Sequence, residues 1–181
     1  MLGVVLAGGQ GRRMGRDKAE VVAGLDPLWR RQVRVLRAAG AERVVVARRR
    51  DQAPIDHADC VFDAFADSGP LAGLHAALSK GGFGWAAVLA VDMPGIDPAW
   101  FLWLRGFLSP GRGVVAGHAS SLEPLAAIYP EQAFAEVEGR LRRGELSVRR
   151  LALDLAAAGR MTVVRVPEGC AARLESLNAP A

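Results

Sequence analysis

Two cysteines, three histidines, two lysines and one tyrosine are all that the 181-residue chain contains of these types. Cys60 and Cys170 lie far apart and form no C-x-x-C pair, so neither a disulfide framework nor a zinc site is indicated, and buried thiols in a reducing compartment are expected. His57, His75 and His118 show no ligand spacing along a helix, which leaves them surface or packing roles. The longest uncharged apolar run, Trp85 to Val91, is seven residues, far short of the about 20 that span a bilayer. Ahead of the short apolar stretch Leu2 to Ala7 there is no basic region, so no signal peptide is expected and a cytoplasmic location is.

What is present is an ordinary globular balance, 51% hydrophobic and 23% charged residues, which excludes disordered, collagenous and coiled-coil chains. The length fits one domain over residues 1–181 that folds without a staple. Of the 23 basic side chains 21 are arginine, and the basic excess is confined to the first third: residues 1–60 carry 12 basic and 7 acidic groups, the remainder 11 and 12. A sequence pI near 9.8 is compatible with a nucleic-acid binder, an anionic metabolite or a solvated arginine surface.

Valine-rich runs alternate with helical patterns, the signature of strand and crossover-helix units. The spacing predicts strands at Leu2 to Ala7, Arg43 to Ala47, Cys60 to Phe62, Trp85 to Val91, Gly113 to Ala116, Pro124 to Tyr129 and Met161 to Val166. Trp85 to Val91, the most apolar, belongs in the centre of the sheet. Helices are expected after Asp26-Pro27, Ser68-Gly69-Pro70 and Asp97-Pro98, and near 131–142 and 147–158. Asp26 is expected to cap the first of them, with Pro27 at its first position; Trp29, set between arginines, is expected to be partly exposed. The architecture implied is a three-layer α/β/α sandwich around a Rossmann-like, mostly parallel sheet.

Ligands of open α/β sheets bind beyond the carboxyl ends of the strands. After the first strand stands Gly8-Gly9-Gln10-Gly11-Arg12-Arg13-Met14-Gly15-Arg16-Asp17-Lys18. Glycines let backbone N–H groups approach a phosphate, and the cations neutralise it. The Walker pattern fails, because no glycine precedes Lys18 and Ala19 follows it; the dinucleotide pattern meets Met14 where its third glycine belongs. Arg48, Arg49 and Arg50 after the second strand would suit a 2′-phosphate, so an NADP-binding oxidoreductase is a rival reading. Asp92 ends an otherwise apolar strand, where a carboxylate needs a hydrogen bond, a counter-charge or a cation. Magnesium, which takes one or two carboxylates and fills its shell with water and phosphate oxygens, fits there, while a turn aspartate before Pro94 is the alternative. Asp63, after the third strand, faces the same edge.

The run Leu6-Ala7-Gly8-Gly9, Arg13-Met14-Gly15 and Asp17-Lys18 resembles the signature of the molybdenum cofactor guanylyltransferases, within the nucleotide-diphospho-sugar transferase fold. Pro27-Leu28, Asp63, Gly69-Pro70-Leu71-Ala72-Gly73, Asp92-Met93-Pro94, Pro124-Leu125 and Asn178-x-Pro180 follow in the family's order. The resemblance implies transfer of GMP from GTP to molybdenum-loaded molybdopterin, with Mg²⁺ and release of pyrophosphate. Related cytidylyltransferases usually carry Leu-Ala-Ala-Gly, so Gly8-Gly9 favours guanine. By the same resemblance Leu6, Ala7, Gly8 and Gly9 contact the nucleotide, Arg13 and Lys18 the triphosphate, Asp63 the nucleoside, and Asp92 the metal. It implies a monomer that meets cofactor donor or acceptor proteins transiently, without nucleic acid or membrane. Three departures stand out: Ala47 where the family often has asparagine, Ser176 to Pro180 in place of Asn-x-Asn-Thr-Pro, and Glu123, an anion just before Pro124-Leu125.

Overall fold

The computed structural model describes residues 1–8, 19, 22–23, 26–118 and 121–174. In chain order the elements are β1 (Leu2–Leu6), β2 (Val22–Ala23), β3 (Asp26–Pro27), α1 (Leu28–Ala38), β4 (Arg43–Arg48), β5 (Cys60–Phe62), α2 (Gly69–Leu78), β6 (Trp85–Ala90), α3 (Pro98–Arg105), β7 (Gly113–His118), β8 (Ser121–Leu122), β9 (Ala126–Pro130), α4 (Phe134–Arg143), α5 (Val148–Ala157) and β10 (Met161–Arg165). Short 3-10 turns occupy Glu131–Ala133 and Ala171–Leu174.

The main sheet has the order β10-β7-β9-β6-β1-β4-β5, with β8 paired to β7. β1 pairs in parallel with β4 on one side and β6 on the other, so that Leu6 stands beside both Ala47 and Ala90. β6 lies in the middle, as its apolar run requires, and its other neighbour β9 is antiparallel. Alternate residues of each strand feed different cores. Val5, Val44 and Val46 pack with Leu28, Leu36, Trp100 and Phe101 under α1 and α3, whereas Val4, Val45 and Val88 pack with Leu71, Leu74, Val137 and Leu151 under α2, α4 and α5. Both faces are thereby covered, which is why these strands show no polar alternation. Among the described residues no helix is long and apolar enough to cross a membrane.

The opening of α1 differs from the expectation. Asp26 and Pro27 pair with Ala23 and Val22 in a two-stranded ribbon, Pro27 takes the cap position and no side chain caps the helix. Asp26 instead pairs with Arg30 and Arg34, one and two turns into the helix, an ion-pair alternative to capping. Trp29 is buried, not half exposed; its ring enters the core below α1 while the Arg30 guanidinium lies 5.3 Å from its centroid. Both cysteines are half-buried free thiols, and Cys60 Sγ accepts the Ile55 N–H at 3.4 Å. At α3 the expectation holds, with Asp97 Oδ1 accepting the Trp100 N–H.

His75, on the buried side of α2, takes the packing role. It stacks on Phe134 at 4.9 Å between centroids and meets Phe65 edge-on. Among the described residues its Nε2 has no hydrogen bond, and Glu138 Oε1 lies 3.9 Å away. Burial holds the imidazole below its usual pKa of 6.5; Glu138 pulls the other way, and Arg142 adds a smaller push in the direction of burial. The folded state therefore takes up its proton later than the unfolded chain, so stability is full above about pH 6.5 and falls as pH drops through the window below it. His75→Gln should flatten that fall: the Tm lead of the natural chain over the variant shrinks between pH 7.5 and 5, and a lead independent of pH would exclude the buried neutral state.

Candidate active site

The carboxyl ends of β1, β4, β5 and β6 point to the same edge, and a cleft opens there. It is lined by Leu6 and Gly8 from β1, Ala47 and Arg48 from β4, and Asp63 after β5. Gly69, Pro70 and Gly73 contribute from α2, Ala90, Val91 and Asp92 from β6, and Leu125 from the segment before β9. Four of the expected residues, Leu6, Gly8, Asp63 and Asp92, thus converge from three strands. Ala7 lies between two of them, with its N–H on the Ala47 carbonyl at 2.9 Å and its side chain in the opposite core. Gly9, Arg13 and Lys18 fall outside the described residues.

The cleft has a close-packed floor. A Cβ added to Gly73 would stand 2.9 Å from Leu6 Cδ2 and 3.2 Å from the Ala47 methyl, so only glycine lets α2 settle this near to β1 and β4. The N-terminus of α2 then faces the cleft through Gly69 and Pro70. Unsatisfied N–H groups and the positive end of the helix dipole favour an anion at that place.

Asp63 is 7% exposed. Its N–H donates to the Arg48 carbonyl and its Oδ1 accepts the Arg50 N–H at 3.2 Å, so the residue also closes the turn after β4. Burial raises its pKa, against which the Arg50 amide and then Arg49 act. Arg49 bends over the β1 end, where a Cβ on Gly8 would meet its Cγ at 3.3 Å. Asp51 grips the guanidinium through Nε at 2.8 Å and through Nη2.

The turn that carries Asp92 is braced from behind by a residue that hydrophobic patterning does not flag. Gln32 on α1 is fully buried, and its Nε2 donates to the Met93 carbonyl at 2.9 Å and lies 3.3 Å from that of Ala90. Arg31 Nη1 donates to Gln32 Oε1 and to the Ile96 carbonyl, fixing the amide's orientation. From the front, Val91 N–H donates to the Leu6 carbonyl. The C-terminal 3-10 turn closes on the same loop: Arg173 Nη1 donates to Asp97 Oδ2, and a Cβ on Gly95 would stand 2.6 Å from the Arg173 carbonyl oxygen. Residues 175–181, which include Asn178 and Pro180, fall outside the described residues.

Glu123, the anion that precedes Pro124-Leu125, is held by backbone on both sides. Its N–H donates to the Ala116 carbonyl, and its Oε1 accepts the Leu125 N–H at 3.1 Å. Burial raises its pKa, and the charge of Asp92 adds to that effect against the Leu125 amide. The cleft edge therefore offers hard carboxylate oxygens, and among the described residues no group of three or more His, Cys, Asp or Glu side chains is gathered to hold a metal by itself. One or two carboxylates, completed by water and phosphate, is a magnesium-type donor set and a poor zinc one.

Comparison with known proteins agrees with this geometry. The MobA-like NTP transferase domain matches residues 3–160. A protein of Opitutus terrae named "Probable molybdenum cofactor guanylyltransferase" is 50% identical over 99% of this chain and 91% of its own. The structure of molybdopterin-guanine dinucleotide biosynthesis protein A from Archaeoglobus fulgidus superposes with a TM-score of 0.68 at 28% identity, covering 92% of this chain and 83% of that one. The 2-C-methyl-D-erythritol 4-phosphate cytidylyltransferase of Thermus thermophilus shares the fold, with a TM-score of 0.70 at 16% identity over 98% of this chain and 91% of its own. With the family's domain over most of its length and half its residues in common with a relative covered almost end to end, the chain belongs to the molybdenum cofactor guanylyltransferase family.

Proposed function

We propose that this protein transfers GMP from GTP to molybdenum-loaded molybdopterin, yielding the molybdopterin guanine dinucleotide and pyrophosphate. The observation that carries the reading is the convergence of Gly8, Asp63 and Asp92 with the α2 N-terminus around one cleft in a chain of this family. From Asp63 after β5 to Asp92 after β6 the cleft crosses β4 and β1. Three strand spacings of about 4.8 Å make roughly 14 Å, the span of a nucleotide from base to β-phosphate. On this reading the nucleoside lies toward Asp63 and Ala47, and the phosphates lie toward Gly8, the α2 N-terminus and Asp92.

In the reaction an oxygen of the pterin's terminal phosphate attacks the α-phosphorus, and the bond from that phosphorus to the β-phosphate oxygen breaks. No protein nucleophile is needed; alignment and charge neutralisation suffice. Asp92 would hold Mg²⁺, which supplies charge compensation to the α-phosphate and the leaving pyrophosphate. Gly8 and Gly9 let the backbone approach the phosphates, and Arg13 and Lys18 counter the triphosphate's charge. Leu6 and Ala7 border the nucleotide, and Asp63, held by the Arg50 amide, accepts from the nucleoside. One domain carries these groups, as a monomer in the cytoplasm that meets donor or acceptor proteins of the cofactor transiently.

Pyrophosphate release from GTP, assayed with and without loaded molybdopterin, tests the reaction, and release is expected only when the acceptor is present. In Mg²⁺, GTP should raise Tm by several degrees more than CTP or UTP at equal concentration, because stabilisation grows with the logarithm of ligand concentration over its dissociation constant. Preferential stabilisation by CTP would overturn the guanine assignment and leave a cytidylyltransferase.

A further inference from the structure

We propose that Gln32 is a positioning residue for Asp92: through its buried side-chain amide, α1 sets the peptide planes on either side of Asp92 and so the direction in which the carboxylate leaves the turn. The inference rests on the magnesium-dependent nucleotide site proposed above and names a residue that serves it without touching substrate or metal.

Gln32 stands where packing alone would call for an apolar side chain. Leu28, Gln32 and Leu36 follow one another at every fourth position on the inner stripe of α1, and all three are fully buried. A leucine would continue that stripe, whereas a buried amide is costly unless it is hydrogen-bonded. Both ends of this amide are engaged. Arg31 Nη1 donates to Oε1 at 2.9 Å, which leaves Nε2 to face the turn after β6. Nε2 lies 2.9 Å from the Met93 carbonyl oxygen, 3.3 Å from that of Ala90 and 3.5 Å from that of Val91.

Those carbonyls bracket Asp92. Peptide units are rigid planes, so the two that meet at a Cα fix where its side chain departs. The plane ahead of Asp92 carries the Val91 carbonyl, which Nε2 reaches directly. The plane behind it carries the Met93 N–H, which donates at 3.4 Å to the Ala90 carbonyl, and that carbonyl lies within reach of Nε2 as well. The Met93 carbonyl takes the Ile96 N–H at 3.3 Å, so Nε2 supplies the shorter of these two bonds to it. Arg31 Nη1 extends the tie to the Ile96 carbonyl at 3.1 Å. Magnesium demands near-octahedral ligand directions, and groups that orient a metal ligand from behind typically change metal affinity 10- to 100-fold when lost. A fully buried amide spent on this one turn has that consequence here.

The test titrates GTP calorimetrically into the full-length protein in EDTA and in Mg²⁺. Gln32→Met keeps the length and bulk of the side chain and removes both donors. Its GTP affinity in EDTA should match the natural protein's, while the gain conferred by Mg²⁺ falls about tenfold. The Mg²⁺ concentration that half-saturates pyrophosphate release with loaded molybdopterin should rise by a similar factor. Arg31→Met leaves Gln32 in place and frees its amide to turn over, so it should show a smaller loss of the same gain, and it decides the matter should the buried change prevent folding. Val33→Ala, on the same helix and in the same core, loosens packing without touching the turn; it should lower Tm and keep the whole gain. A full Mg²⁺ gain in Gln32→Met or Arg31→Met, or an equal loss of gain in Val33→Ala, overturns the proposal. Asp92→Asn run in parallel reports on the underlying site. If it keeps the full gain, the magnesium reading of Asp92 fails and the proposal with it; if it loses the gain while Gln32→Met keeps it, only the positioning role fails.

Discussion

Asp92→Asn lowers kcat for pyrophosphate release by about a thousandfold at saturating GTP and Mg²⁺, and leaves the thermal midpoint where it was or slightly higher. The size follows from what the carboxylate is asked to do. In-line transfer at the α-phosphorus builds negative charge on the transferring group and on the departing pyrophosphate, and a positioned cation supplies several kcal/mol toward both. Loss of about 4 kcal/mol of that stabilisation is a factor of roughly a thousand in rate. Asparagine matches aspartate in shape, and the turn beneath it is held independently by Gln32 on the Ala90 and Met93 carbonyls and by Val91 on Leu6. The fold is therefore expected to survive the substitution, and removing the Asp92 charge relieves its repulsion of Glu123. Steady-state kinetics beside a thermal melt separate the two effects. A variant within tenfold of the natural kcat takes Asp92 out of the metal's shell.

The parts of this site that were legible in the sequence are those that local chemistry dictates. An apolar strand ending in a carboxylate identified Asp92, and the same logic identified Asp63; both line the cleft. Glycine before proline at the head of α2 marked the helix N-terminus that faces it. What stayed hidden depends on pairings between distant residues. Asp26 reads as a helix cap until the ribbon with Val22–Ala23 and the two arginines compete for it. Gln32, a polar residue on the inner stripe of α1, makes sense only once the Asp92 turn lies behind it. Glu123 looks misplaced until β9 inserts antiparallel between β6 and β7 and its leading segment meets the end of β6 at Ala90 and β7 at Ala116. Registers between non-consecutive strands fix such neighbours, and a linear pattern carries little information about them.

The arginine-rich composition is also explained by such pairings more than by nucleic acid. Arg34, Arg43, Arg49, Arg140, Arg143 and Arg173 each reach a carboxylate of the chain itself. Their forked guanidinium suits this role, giving two parallel bonds to one acid as at Asp51. A high pI built from internally paired arginines exerts little of the field that steers polyanions.

Lys18→Ala is the second change with a large expected effect, a rise of roughly 10- to 150-fold in the dissociation constant for GTP, equivalent to the about 1.5–3 kcal/mol of a hydrogen bond to a charged group. Lys18 itself lies outside the described residues; of the residues before and after it, Gly8 and Ala19 lie within them. Gly8 lines the cleft at the end of β1, and Ala19 is fully buried in the core beside α1. A compact ammonium on a flexible stem can follow phosphate oxygens through small shifts, whereas a planar guanidinium needs a matched pair of acceptors. Lys18→Arg should accordingly recover only part of the lost affinity, although charge is restored. GMP, which lacks the outer phosphates, should bind the natural protein and Lys18→Ala alike. Calorimetric titration with GTP and GMP distinguishes these outcomes: equal losses for both ligands would put Lys18 at the nucleoside, and no loss for either would remove it from the site.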